Sequence, residues 1–391
     1  MEPIYLDYQA TTPLDPRVLE AMLPWWGARF GNPHSTGHAR GRDAGAAVEA
    51  ARAEVAALIG GDPREIVFTS GATEANNLAI KGAARFHRRR GDHVVTVATE
   101  HKCVLESVRA LEAEGFRTTI LPVGPDGLLD LDRLAAALDD RTLLVSVMLA
   151  NNEIGTIQPL AEIARIAHAA GALVHTDAAQ AAGKIPVDVA ALDVDLMSLS
   201  AHKLYGPQGI GALWLRRRPR ARIAPLFDGG GQERGLRSGT VPTPLAVGFG
   251  AACAVARAEM PAESARIAAL RDRLAELLVS RLAPVYVNGH PTRRLPGNLS
   301  IGFAGVEATR LLAALPELAL SAGSACTSAA VEPSYVVRAL GRDDGEAAAT
   351  VRIALGRFTT AGEVERAAEL LIGRVTALRA APGLELSGMG V

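Results

Sequence analysis

Residues 172–180, ALVHTDAAQ, and 195–214, DLMSLSAHKLYGPQGIGALW, decide how the chain is to be read. Each contains a short apolar run, Ala172–Thr176 and Leu196–Ser200, of the length and composition of a buried strand. Each run then ends in polar groups that a buried strand does not need. The first stops at Asp177, with Gln180 three residues on, and the second at Ala201-His202-Lys203. Glycines at 206, 209 and 211 allow backbone to approach closely around the lysine.

Working outward, the same alternation recurs. EIVFT at Glu65–Thr69 reads as a strand and Glu74–Arg85 as a helix. HVVTVAT at His93–Thr99 is a strand followed by a helix through Glu114. Leu143–Met148 is another apolar run, and helical patterns such as Ala161–Ala170 separate these segments. Strands alternating with helices predict an α/β fold with a mostly parallel central sheet covered on both faces. From Pro244 to Leu282 the pattern changes to one long Ala/Leu/Arg-rich helix. After Tyr286 two short strands, NLSIGF and TVRIAL, point to a smaller α+β domain. The expected division is a large domain over 15–258 and a small one built from 1–14 plus 259–391.

Composition narrows the class. The chain has 391 residues, enough for two or three domains and a core that needs no staples. Lys+Arg (41) balances Asp+Glu (42), so no basic excess marks a nucleic-acid or anionic-membrane partner. Three cysteines with no C-x-x-C pair speak against a disulfide framework and a zinc knuckle. The N-terminus MEPIYLDYQATTPLD lacks the plan of a signal peptide, and no uninterrupted apolar run approaches the roughly 20 residues that span a bilayer. The expectation is a reduced, cytoplasmic protein.

Ligands of an α/β sheet bind where loops leave the carboxyl ends of the strands. After Glu65–Thr69 comes Ser70-Gly71-Ala72-Thr73 at a helix start, which reads either as a cup for phosphate or as an ordinary cap. Asp177 alone could be a helix cap. Lys203 stands out because only four of the 41 basic residues are lysines: Lys81, Lys102, Lys184 and Lys203. An arginine cannot form a Schiff base, since its guanidinium stays protonated. A phosphate cup, an Asp and a Lys in successive strand-end loops match the needs of pyridoxal phosphate: phosphate at a helix N-terminus, lysine on the aldehyde, carboxylate on the pyridine nitrogen. Lys81 reads as a solvated helix face. Lys184 mimics a P-loop ending but lacks the upstream Gly and the following Ser/Thr. Lys102 neighbours the same cleft.

His101 follows its strand and reads either as a group that stacks on a ring and moves protons or as a cap. His34 and His38 are four apart with no third ligand nearby. Cys253, in GFGAACAVA, is core packing. Cys103 either faces the cleft or starts a helix. Cys326, in LALSAGSACTSAAVEPSY, has only small neighbours, which predicts an exposed loop suited to a thiol that must travel or simply a bland small-residue loop. Arg352, in TVRIAL, is either an edge residue or a fork for an α-carboxylate.

Taken together, YLDYQATTPLDP, FGNPHS, REIVFTSGATEANNLAIKG, TEHKCVL, NNEIGTIQP, HTDAAQ, DLMSLSAHKLYGPQGIGALW, GGGQERGLRSGT and SAGSACTS resemble the cysteine desulfurases of pyridoxal-phosphate transferase fold type I, in the class V aminotransferase family and its housekeeping iron–sulfur-cluster branch. The resemblance implies Lys203 as the Schiff-base lysine, Asp177 on the pyridine nitrogen, His101 as stacking acid/base, and Asn152 and Gln180 at the ring oxygen. It implies phosphate contacts from Ala72, Thr73, Ser200 and His202, with Thr240 reaching across a homodimer interface. Cys326 would carry the persulfide and Arg352 the substrate carboxylate. It further implies L-cysteine as substrate, alanine as product, and sulfur acceptors such as an iron–sulfur scaffold protein, with tRNA thiolation a further outlet. No metal is expected in the resting enzyme, Cys326 touching a nascent cluster only transiently. The alternatives are another pyridoxal-phosphate lyase or aminotransferase, such as a selenocysteine lyase, and a non-catalytic sulfur-scaffold subunit.

Overall fold

A computed structural model describes residues 2–323 and 332–380. Among these residues the strands run, in chain order, β1 (Ile4–Tyr5), β2 (Ile66–Thr69), β3 (His93–Val97), β4 (Arg117–Leu121), β5 (Thr142–Ser146), β6 (Leu173–Asp177), β7 (Leu196–Ser200), β8 (Gly211–Leu215), β9 (Val285–Val287), β10 (Asn298–Phe303), β11 (Leu318–Ala319) and β12 (Thr350–Ala354). Seven of them form the central sheet, in the order β2-β8-β7-β6-β5-β3-β4. All of its pairings are parallel except the two made by β8, which is antiparallel to both β7 and β2. The mostly parallel α/β sheet expected from the sequence is therefore present. Because β8 is antiparallel to both neighbours, β2 runs in the same direction as β7, and the carboxyl ends of β2, β3, β4, β5, β6 and β7 share one edge.

Successive side chains explain why these strands read as continuous apolar runs. Ile66 and Phe68 face a core shared with Val48, Val55, Phe249 and Cys253. Val67 between them faces a core shared with Leu78, Ala79, Val104 and Val108. The same alternation holds for Val95 and Val97 against Val94, so the sheet is buried on both faces and needs apolar residues at every position. Strand ends differ from expectation by a residue or two. Glu65 lies in a short 3-10 turn rather than in β2, and β3 stops at Val97 because Ala98–Glu100 turn toward the next helix.

A separate core, containing Leu6, Leu274, Leu278, Leu299, Ile301, Phe303, Val351, Ile353 and Leu371, lies around the antiparallel sheet β12-β10-β9. The helix Thr243–Arg281 serves both cores: Ala246, Phe249 and Cys253 enter the first, Ile267, Leu274 and Leu278 the second. By length and composition this 39-residue helix could cross a bilayer, which qualifies the reading that no segment could. Its packing into two cores is the behaviour of an internal helix.

One buried ion pair ties the 229–239 loop to the sheet. Arg52, 3% exposed, grips Glu233 with two bonds of 2.8 Å. Glu233 also accepts from the Phe68 backbone N–H at 2.7 Å, and Arg52 donates to the Ile66 carbonyl at 2.9 Å. Removing one partner of such a pair strands a charge in low dielectric. Glu233→Gln should therefore destabilise the protein by about 3–5 kcal/mol in denaturant unfolding, whereas a paired Arg52→Met/Glu233→Met variant should recover most of that loss. A cost below about 1 kcal/mol for Glu233→Gln would show that the loop is held by other contacts.

Candidate active site

The shared edge of carboxyl ends opens into a cavity of ≈ 370 Å³. After β2, Gly71 takes a φ of 151° and precedes the helix Ala72–His87, whose N-terminus has no side-chain cap. A Cβ on Gly71 would meet nothing within 4 Å, so the strained backbone rather than crowding requires glycine here. Gly211 faces it so closely that a Cβ there would lie 2.7 Å from the Gly71 Cα. The uncapped N–H groups and helix dipole at Ala72 and Thr73 thus open onto the cavity as an anion cradle. Glu74 on the same turn does not oppose an anion, because Arg237 pairs with it at 2.7 Å.

Asp177 is the last residue of β6 and is 6% exposed. One of its oxygens accepts from the Ala179 N–H at 2.9 Å and the other from the Asn76 amide at 2.6 Å. These bonds hold a carboxylate facing the cavity. Lys203 follows β7 in a 3-10 turn, and its ammonium donates to the carbonyls of Gln9 at 2.7 Å and Ala10 at 2.5 Å. The N-terminal segment thereby orients the lysine. His202 lies beside it, with Nδ1 3.0 Å from the Thr11 hydroxyl. Burial, then the charges of Lys203 and Lys184, pulls its imidazole down to about 4.

His101 caps the helix Lys102–Glu112, and it also lines the cavity. Before it, the fully buried Glu100 accepts from the Met148 N–H at 2.5 Å. Burial, reinforced by Asp177, pushes this carboxyl well up toward the protonated form. Asn152 and Gln180 are both buried and both line the cavity. Arg352 is not a surface residue: it lies on β12, 2% exposed, and reaches the cavity from the second core. Its Nη2 pairs with Asp7 at 2.6 Å and its Nη1 donates to the Asn152 carbonyl at 3.0 Å.

Of the residues singled out in the sequence, Ala72, Thr73, His101, Asn152, Asp177, Gln180, Ser200, His202, Lys203 and Arg352 all line this one cavity. Thr240 does not; it is exposed and stands away from its own chain's cavity. Cys326 lies outside the described residues. Cys253 is fully buried, which pushes its thiol up and makes it a packing group. His38 spends its Nδ1 as a helix cap for the Gly41 N–H at 3.1 Å. Lys81 is half-buried rather than solvated. Sequence reading missed several participants: the carbonyls of Gln9 and Ala10, the Asp7 partner of Arg352, and Asn76. It also set aside Lys184, whose ammonium donates to the Gln180 side chain at 2.9 Å and is drawn down to about 7 by burial and then by Lys203. No local signal marks Asp7, Gln9, Ala10 or Asn76, because each acts on a group far away in the chain, whereas Lys184 lies only four residues from Gln180.

The set fits pyridoxal phosphate. The uncapped helix N-terminus matches its phosphate, Asp177 its protonated ring nitrogen and Lys203 its aldehyde. The buried Asn152 Oδ1 has no partner among the described residues, as expected of an atom awaiting a ligand.

Comparison with known proteins gives the same answer. The family model described as aminotransferase class-V matches residues 4–367. The chain is 58% identical over 379 residues to a cysteine desulfurase of Mus musculus, covering 97% of this chain and 83% of that protein. It is 53% identical over 378 residues to the cysteine desulfurase IscS of Rickettsia rickettsii (strain Iowa), covering 97% and 92%. A solved NifS-like protein superposes with a TM-score of 0.89 at 36% identity, over 97% of this chain and 100% of that one.

The depressed His202 value sets a pH dependence. Its folded-state pKa of about 4 lies below the ordinary 6.5, so the unfolded chain binds the proton more tightly. The His202 contribution to stability is complete above about pH 6.5 and is lost as pH falls toward 4. An NMR titration of the protein freed of pyridoxal phosphate should place the His202 midpoint near pH 4, and His202→Gln in the same state should lose stability less steeply than the parent across that window. A midpoint near 6.5 would mean that the ring is solvated.

Proposed function

The chain belongs to the class-V aminotransferase family and is a pyridoxal-phosphate-dependent cysteine desulfurase, and we propose that its cavity residues deliver the sulfur of L-cysteine to the thiol of Cys326. The carrying observation is the convergence of Lys203, Asp177, the uncapped Ala72–Thr73 helix start and Arg352 on one cavity. When bound, pyridoxal phosphate supplies an electron sink for bond changes at the amino-acid carbons.

The protein's own groups do the rest. The helix N-terminus, with Ser200 and His202, holds the phosphate. The Asp177 carboxylate, fixed by Asn76 and Ala179, keeps the ring nitrogen protonated. The Arg352 guanidinium binds the substrate carboxylate, exchanging or sharing its Asp7 partner. Lys203, close to the carbonyls of Gln9 and Ala10, moves the Cα proton, and His101, also in the cavity lining, exchanges protons with the substrate. The Cys326 thiolate attacks the substrate sulfur, so an S–S bond forms as the C–S bond breaks. The bonding pair stays with carbon, which takes up a proton. The balance is L-cysteine plus a thiol giving L-alanine plus a persulfide.

We further infer a homodimer in the cytoplasm. Support comes from Thr240, exposed away from its own cavity, and from Leu19, Leu23 and Trp26, which form an exposed apolar stripe along the helix Pro16–Trp26. The persulfide is passed on to sulfur-acceptor proteins such as an iron–sulfur scaffold.

Purified protein supplied with L-cysteine and a thiol reductant should release alanine and sulfide in equal amounts. Cys326→Ala should lower both by about 10³-fold or more, as loss of a nucleophile does. Alanine formation that survives this change would move the protein to another lyase or transferase reaction. Borohydride should trap the cofactor on Lys203 and on no lysine of Lys203→Ala. Trapping on Lys184 in that variant would reassign the lysine.

A further inference from the structure

Four side chains that the mechanism uses only in part form a continuous hydrogen-bonded path. The Asn76 amide nitrogen donates to Asp177 Oδ2 at 2.6 Å and stands 3.2 Å from the Cys103 sulfur. That sulfur lies 3.0 Å from Nδ1 of His101. Asn76 is fully buried, and Cys103 is half-buried and lines the cavity. The orientation of the amide follows from chemistry, since an ionised Asp177 can only accept and must face the NH₂ end. One hydrogen of that NH₂ goes to Asp177, and the other points to sulfur.

The direction of the last link also follows. The Cys103 backbone N–H donates to His101 Nδ1 at 3.2 Å as part of the helix cap. A backbone N–H needs a lone pair, so the neutral ring carries its hydrogen on Nε2. The thiol must then point its own hydrogen at Nδ1 as well, sharing the single lone pair with that N–H and leaving sulfur lone pairs for Asn76. We propose that Asn76 and Cys103 form an arm from Asp177 to His101 that holds His101 as the Nε2–H tautomer and supplies a proton to Nδ1 when Nε2–H is given up. The S–H bond breaks, an N–H bond forms at Nδ1, and sulfur keeps the electron pair. The resulting sulfur lies in the first turn of the helix Lys102–Glu112 and accepts the Asn76 N–H. The proton returns along the same path when Nε2 is reprotonated.

Other charges facing the pair are Asp177, Glu100 ahead of the cap, and Glu153 from the loop after β5. Lys102 adjoins both in sequence. None of these carboxylates is placed between Cys103 and His101 by any hydrogen bond described for them. Cys103 is thus a positioning residue, acting through His101, and the inference rests on reading His101 as a proton-handling group.

The test uses holoenzyme with ¹⁵N-labelled histidine, comparing the parent, Cys103→Ala and Cys103→Ser, with His101→Gln to assign the signal. The parent should show a bare Nδ1 and a protonated Nε2 at neutral pH. Cys103→Ala removes a donor that stabilises the neutral ring, so the His101 midpoint should rise by about half a pH unit, the worth of a weak hydrogen bond. The acidic limb of kcat/KM for L-cysteine should move with it, and kcat should fall about tenfold. Cys103→Ser, which keeps an O–H donor, should restore most of both. A proton on Nδ1 of the parent, or an unmoved midpoint and pH limb in Cys103→Ala, would overturn the proposal. If the midpoint moves while His101→Gln turns over normally, the arm stands and the role given to His101 falls.

Discussion

A parallel strand has one direction, and that constraint organises everything else in this molecule. Six strands of the central sheet, β2 to β7, point their carboxyl ends at one edge, and a helix begins within a few residues of the ends of β2 and β3 to cover the sheet. Helix starts carry unpaired N–H groups and the positive end of a dipole, and strand ends leave polar side chains free of the core. An edge built in this way attracts an anion at the end of β2 and can present Asp177 and Lys203 from the ends of neighbouring strands. The chemistry sits where the backbone has the most unsatisfied capacity.

Charge pairing then makes the site definite. Buried charges are costly unless they are partnered, and nearly every charge near the cavity has a named partner: Arg352 with Asp7, Glu74 with Arg237, Asp177 with Asn76, and Lys203 with two carbonyls. Several partners come from the first ten residues or from the second core. The small antiparallel sheet is therefore part of the site, since β12 brings Arg352 in and the segment after β1 brings Asp7, Gln9 and Ala10. The helix Thr243–Arg281, rooted in both cores, holds the two halves together.

Histidine illustrates how burial sorts identical side chains into different roles. His202 is kept neutral by desolvation and two ammonium neighbours, whereas His175, on β6 between the hydroxyls of Ser146 and Ser198, is pulled down to about 3 by burial alone. His101 remains at the cavity surface, where a ring can exchange protons with a substrate.

Much of this was legible in the sequence. Alternating apolar runs give the sheet, because strands buried on both faces admit few polar residues. The residues at the strand ends give the site, because a phosphate cup, an Asp and a Lys in successive loops fit one chemistry where an Asp alone could be a cap. Motif resemblance extends to Asn152, Gln180 and Arg352, which spacing alone leaves open. What tertiary structure decided are the pairings across the chain: Asp7 with Arg352, Lys203 with the carbonyls of Gln9 and Ala10, and Asn76 between Asp177 and Cys103. A local pattern can report that a residue is unusual for its strand or helix. Only folding brings together residues 345 positions apart, as Asp7 and Arg352 are, because that contact depends on how two separately built cores pack against one another.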